Sequence, residues 1–451
     1  MTSMNFYRTL FMVALPIILQ NFLTSFVNML DTVMVGQLGA VEIAAVGLGN
    51  QIFFIMNTAL FGVVSGGSIF IAQFWGKRDI PALRQVMGIT VTLSACVALL
   101  FAAAAGFFPE ACLSMYTKDA AVIAMGAEYL RTVAASYLLI GIGFAFAHAE
   151  RSTGHVRLPM AATAVSVGIN ALCNMLLIFG LSIQGTAVIP AMGVRGAALA
   201  TVISRFVECS ILVGAPVFRR YEIIGKFHDY ILTNPRFLVK YAAICLPVLV
   251  NETLWGFGIS MQNSIFAHIG TDVVAAFHIR GTIDNLVWVF CIGTGNAAAI
   301  IIGRKIGEAQ YDEARSFARR MCVFMALCGA GLALLVVPLS MLLPLFFHVS
   351  PQILQMAARM LYLTALFYPF CAFNMCMIVG VCRSGGDTLC ATLMDVGCMW
   401  LVSLPAGAVA AQWLHAPYWA VYLCIGSENI LKAAAGLLRL RSGRWLHNVT
   451  E

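Results

Sequence analysis

Apolar runs of about 20 to 30 residues recur along the whole chain, divided by short polar breaks. A helix of roughly 20 apolar residues crosses the hydrocarbon core of a bilayer, so each run predicts a membrane span rather than a buried globular helix. Twelve such helices are predicted, at residues 10–35, 43–74, 84–108, 120–147, 158–180, 193–217, 237–268, 273–302, 314–346, 353–381, 387–412 and 417–439. The first run is long enough to span and opens with no cleavable leader pattern, so it is expected to remain in the mature protein.

Composition sharpens the pattern. The chain is 61% hydrophobic and only 10% charged, against roughly a quarter charged residues in an ordinary water-facing protein. Fourteen cysteines lie mostly inside the apolar runs, with no C-x-x-C pair and no metal-ligand spacing, and read as small hydrophobes. The net charge of +7 sits in the polar breaks, so it points to membrane topology, and no nucleic acid partner is expected. With a cytoplasmic N-terminus, the inner segments hold twenty Lys and Arg residues and the outer loops hold two, Lys118 and Arg195. The positive-inside rule then makes both termini cytoplasmic in a multi-pass protein of the cell (inner or plasma) membrane.

The longest inner connection, "RRYEIIGKFHDYILTNPRFLVK" at 219–240, divides the helices six and six. Residues 15–84 laid on 246–315 without a gap give 13 identities in 70, among them Pro16/Pro247, Gly39/Gly270, Gly76/Gly307 and Arg84/Arg315. The loop "RSTGH" at 151–155 returns as "RSGGD" at 383–387. Two six-helix halves entering from the same side are related by an axis along the membrane normal. The expected fold is therefore an all-α integral membrane protein of twelve transmembrane helices in two bundles. The N-terminal lobe covers 1–218, a cytoplasmic linker 219–236, the C-terminal lobe 237–440 and a cytoplasmic tail 441–451.

Several stretches in order carry a resemblance: "ALPIILQNF" and "DTVMVGQLG" in the first helix, "AQFWGKRD" after the second, "RSTGH" after the fourth, "INALCNMLLIFG" in the fifth and "MGVRGAALATVISR" in the sixth. "LPVLVNETLWG", "GRKIGEA" and "RSGGDT" follow in the second half. Over essentially its whole length the sequence resembles the multidrug and toxic compound extrusion (MATE) transporters. The resemblance implies two six-helix lobes and export of small amphipathic, often cationic compounds against an inward Na+ or proton gradient, without a cofactor and without any metal beyond Na+. It implies a cation-coupled antiporter, functional as a monomer in membrane lipid.

Inside the predicted helices, ionisable and amide side chains are the candidate chemistry, because polar groups at membrane depth are costly to keep. Asp31, Asn170, Asn174 and Thr201 lie at similar depth in the outer half, and Asn170 and Asn174 share a helix face at i, i+4. Together they offer the hard oxygens that Na+ takes, or one carboxyl that can hold a proton. In the family the matching positions line a cation site, with aspartate common where this chain has Asn174. An interhelical bonding role for the asparagines is the competing reading.

In the second half Glu252 follows the helix-kinking Pro247 and is read as a cation or substrate contact, or as half of an internal ion pair. The aspartate that some relatives carry in the tenth helix is replaced by Ala372. His278, Asp284 and Asp395 complete the C-terminal candidates, although Arg280 and Asp284, four apart, can neutralise each other. Asp395 needs a partner from another helix or the cavity, while Glu428 and Lys432 read as a local pair. Tyr137, Trp255, Met261 and Trp288 are candidate cavity residues for flat cations. No hydrolase or metalloprotease signature appears, so an enzyme is not expected. A flippase for lipid-linked precursors is the alternative, for which more arginines inside the helices would be expected.

Overall fold

The computed structural model describes residues 3–183, 186–231, 235–341, 343–347 and 349–451. Within them, twelve helices are long and apolar enough to cross a membrane. They are α1 (Phe6–Gly36), α2 (Ala40–Lys77), α3 (Ile80–Phe107), α4 (Ala120–Ser152), α5 (Arg157–Phe179), α6 (Gly193–Arg219), α7 (Arg236–Ile269), α8 (Thr271–Gly307), α9 (Tyr311–Ser340), α10 (Pro351–Arg383), α11 (Thr388–Trp413) and α12 (Tyr418–Ser442). Large apolar side chains such as Leu100, Phe107, Leu334 and Leu401 stand exposed on their flanks, as lipid-facing surfaces require.

The polar breaks carry the start and stop signals. Asp79 accepts a hydrogen bond from the Ala82 amide at the start of α3, and Asp119 accepts from Ala121 and Val122 at the start of α4. Arg220 adopts a left-handed conformation (φ 52°) to end α6. The predicted spans match these helices to within a turn or two at most ends. The exception is the ninth, expected to reach 346: Pro338 lies in its last turn, α9 ends at Ser340, and Leu343–Phe346 forms a separate short helix. A short helix at Pro109–Ser114 and an antiparallel hairpin, β1 (Leu181–Ile183) with β2 (Thr186–Ile189), were not expected from the apolar pattern. The centre of the linker, 232–234, lies outside the described residues.

Two late helices depart from α geometry. α10 ends in a π-helical stretch, Cys376–Arg383, and α11 contains two, Met399–Ser403 and Val409–Trp413. α12 is interrupted at Ser427, between Tyr418–Gly426 and Glu428–Ser442. Wider turns of this kind accumulate near functional positions because they free carbonyls and re-aim side chains.

The chain forms two compact units: one of Leu19–Ile71 with Asp79–Leu238, the other of Met1–Ile18, Ala72–Arg78 and Val239–Glu451. The first is built on most of α1 and α2 together with α3 to α6 and has an apolar core around Met56, Leu60, Leu130, Tyr137 and Ala198. In the second, the last turns of α2 dock on the end of α8 through two glycines. A Cβ on Gly76 would strike the Arg304 carbonyl, and one on Gly307 would strike the Gln73 carbonyl. The repeat identity Gly76/Gly307 thus marks one close crossing of two backbones. Beside it, the buried Gln73 carboxamide donates to the Ser384 and His447 carbonyls and accepts from the Val449 amide. That fixes the segment after α12, whose Trp445 is fully buried.

Candidate functional site

In the unit containing α3 to α6, Thr24, Asp31, Ser166, Asn170, Thr201 and Arg205 line a small, partly open cleft. Asn174 donates one amide hydrogen to Asp31 Oδ1 at 2.5 Å and another to Asn170 Oδ1 at 3.1 Å. Asn170 in turn lies 3.5 Å from Ser204 Oγ. Thr201 spends its hydroxyl proton on the Ala197 carbonyl, which leaves its lone pairs toward the cleft. The four residues expected to form one site are therefore together. Asn174 meets Asp31 as a donor, and its own Oδ1 is buried with no partner among the described residues.

From the cleft runs a relay whose links, save one, no helical spacing announces. Arg151 donates to Gln20 Oε1 (2.9 Å), Gln20 to Thr163 Oγ1 (2.9 Å) and Thr163 to Glu208 Oε1 (2.7 Å), while Arg205 closes on Glu208 Oε2 (2.7 Å). Only Arg205 and Glu208, three apart on α6, could have been paired from sequence.

The other unit repeats this plan with charge in place of amide. Arg383, matched to Arg151 by the repeated loop, donates to Glu252 at 2.6 Å, the two side chains being 4% and 13% exposed. Glu252 thus sits in a buried ion pair rather than open to a cavity. Asp395 accepts from Lys432 (2.8 Å) and from Asn251 (3.1 Å), which supplies the interhelical partner its own helix lacks. Lys432 stands farther, 3.6 Å, from Glu428, so the expected local pair is the weaker of its two contacts.

Asp284 has both carboxylate oxygens engaged, by Arg280 at 3.1 Å and by the Tyr368 hydroxyl at 2.5 Å. Arg280 also reaches the Tyr422 hydroxyl and lies over the Phe277 and Tyr422 rings. This cluster is closed and neutral, which gives Asp284 a structural partner set and no free oxygen for a cation. His278 is exposed, beside Phe277. Trp255 and Trp288 meet edge to face at 6.3 Å, and Met261 and Trp288 are 50% and 37% exposed. Tyr137 is different: at 0% exposure it belongs to the apolar core, turned inward against α2, where its ring meets Phe53. Among the described residues no group of His, Cys, Asp and Glu could hold a metal ion.

Comparison with known proteins agrees with this architecture. The MatE family model matches residues 16–176 and 247–409. A probable multidrug resistance protein NorM of Thermotoga maritima is 23% identical over 440 residues, covering 97% of this chain and 93% of that one. A probable multidrug resistance protein YoeA of Bacillus subtilis is 24% identical over 410 residues, covering 90% and 87%. Among solved structures, a point mutant of the Vibrio cholerae MATE transporter VcmN superposes with a TM-score of 0.87 at 18% identity, over 99% of both chains.

Proposed function

Because the chain belongs to the MatE family, whose members are transporters and not enzymes, we propose that it exports small amphipathic organic cations by antiport against an inward proton or Na+ gradient, with Asp31 as the principal coupling group. The observation that carries this reading is the cleft around Asp31. A half-buried carboxylate on a membrane helix is held by one amide and faced by the hydroxyls and carbonyls of Asn170, Thr201 and Ser204. Such a group can take up H+ or Na+ from one side and release it to the other if the two conformations bind the ion differently, and that difference is what a gradient can drive. Asn174 adds no second negative charge, so the load falls on one acid.

Glu252 and Asp395 then act in the C-terminal half through their basic partners, and Trp255, Met261 and Trp288 offer apolar surface to flat cations. The functional unit is a monomer with both termini in the cytoplasm, and the 219–236 linker separates its two lobes. Proteoliposomes loaded with ethidium, under proton and Na+ gradients imposed separately, identify the ion. Asp31→Asn should abolish uphill export and retain counterflow, which needs no gradient; unchanged uphill export would sink the assignment.

A further inference from the structure

Three acids and two bases lie together in the unit that contains the C-terminal half: Glu252, Asp395 and Glu428 against Arg383 and Lys432. With every group ionised the cluster carries one uncompensated negative charge inside the membrane-spanning part of the fold, where such a charge is costly. Geometry shows which acid is left over. Glu252 is held by Arg383, and Asp395 by Lys432 and Asn251. Glu428 has the longer 3.6 Å contact with Lys432 and lies beside the Ser403 hydroxyl, which donates to the Ile425 carbonyl instead, and its Oε2 is buried with no hydrogen-bond partner among the described residues.

A second observation falls beside it. α12 is locally irregular at Ser427, nine residues on from Tyr418, or about 14 Å into the helix, while the backbone there stays right-handed (φ −58°). The carbonyls on either side are met by side chains: Ser403 donates to Ile425, Asn429 to Gly426, and Asn374 to Asn429.

We propose that Glu428 carries an exchangeable proton in the C-terminal half, and that Lys432 reads its state. The titratable and charged groups facing it are Lys432 on its own helix, Asp395 and Cys398 on α11, and Cys371 on α10. Protonated, Glu428 leaves Lys432 committed to Asp395 and the cluster neutral. Deprotonated, it competes with Asp395 for the ammonium from within α12 and so loosens the tie between α12 and α11. A metal cation is a poorer fit, since it needs several oxygens and would sit beside that ammonium.

The proposal rests on the ion-coupled export reading, and one set of variants separates the two. In infrared difference spectra of the purified full chain across pH, a titrating carboxylic C=O band should vanish in Glu428→Gln and persist in Asp31→Asn. Glu428→Gln mimics the protonated acid, so it should fold and unfold at a temperature no lower than wild type, while export of ethidium driven by a pH gradient falls to the level of empty liposomes. A band unchanged in Glu428→Gln, a variant that fails to fold, or export at the native rate would each overturn it. Loss of uphill export in both variants with the band tracking Glu428 alone supports both readings; native export in Asp31→Asn with the Glu428 results intact would remove the Asp31 assignment only.

Discussion

Replacing Arg383 by Gln should be among the most damaging single changes in the C-terminal half. The Arg383–Glu252 contact is 2.6 Å long between side chains that are 4% and 13% exposed. At an effective dielectric of about 20, that separation corresponds to about 6 kcal/mol of attraction, most of it offsetting desolvation. Removing one partner of a buried pair leaves the other charge uncompensated and costs about 3–5 kcal/mol. For a cooperative unit of 150–250 residues each kcal/mol lowers Tm by about 2–4 °C, so a fall of roughly 6–20 °C is expected. The fourteen cysteines are free and mostly buried or half-buried, so a thiol-reactive fluorophore follows unfolding of the detergent-purified protein directly. The double variant Glu252→Gln with Arg383→Gln removes both charges and should recover most of the loss. Wild-type melting of Arg383→Gln, or a double variant no better than the single, would refute the pairing as a source of stability.

Gly307→Ala places a methyl against the Gln73 backbone, where neither helix end can yield, and should cost about 1–3 kcal/mol in the same melting assay; an unshifted melt would show that the crossing is looser than described. In the linker, the Lys226 amide, then His228 and Arg84, hold the Asp229 carboxyl below the ordinary carboxylate range. A depressed folded value means this contact stabilises fully above the unfolded pKa of about 3.9 and is lost as pH falls through the folded value. Limited proteolysis of the linker should therefore stay constant from neutral pH down to about 4 and accelerate only below it; acceleration already near neutrality would contradict the assignment.

The twelve spans and the internal repeat were legible because lipid imposes a length and a composition on every helix, and those survive in the primary structure. The Asp31 grouping was legible for a related reason: α5 puts Asn170 and Asn174 on one face by spacing alone. Pairings across helices were not. Asp395 and Lys432 are 37 residues apart, and Arg383 and Glu252 are 131 apart, so only the packed fold reveals that Glu252 is paired. Local spacing was right but incomplete at Glu428: the i, i+4 pair with Lys432 is present at 3.6 Å, and tertiary contact gives Lys432 a closer partner in Asp395 at 2.8 Å. The inward turn of Tyr137 has the same origin: an aromatic in an apolar helix carries no mark of which side faces its neighbours.

The seat of Gln73 has a consequence for biosynthesis. Its carboxamide lies at the end of the second helix to be made, yet its partners at Ser384, His447 and Val449 are separated from it by 311, 374 and 376 residues. During translation the end of α2 must wait, with a polar side chain destined for burial still unmatched, until the ribosome has passed the twelfth span. A chain that ends before Trp445 lacks two of the three partners of that amide, and the place that Trp445 fills is left empty.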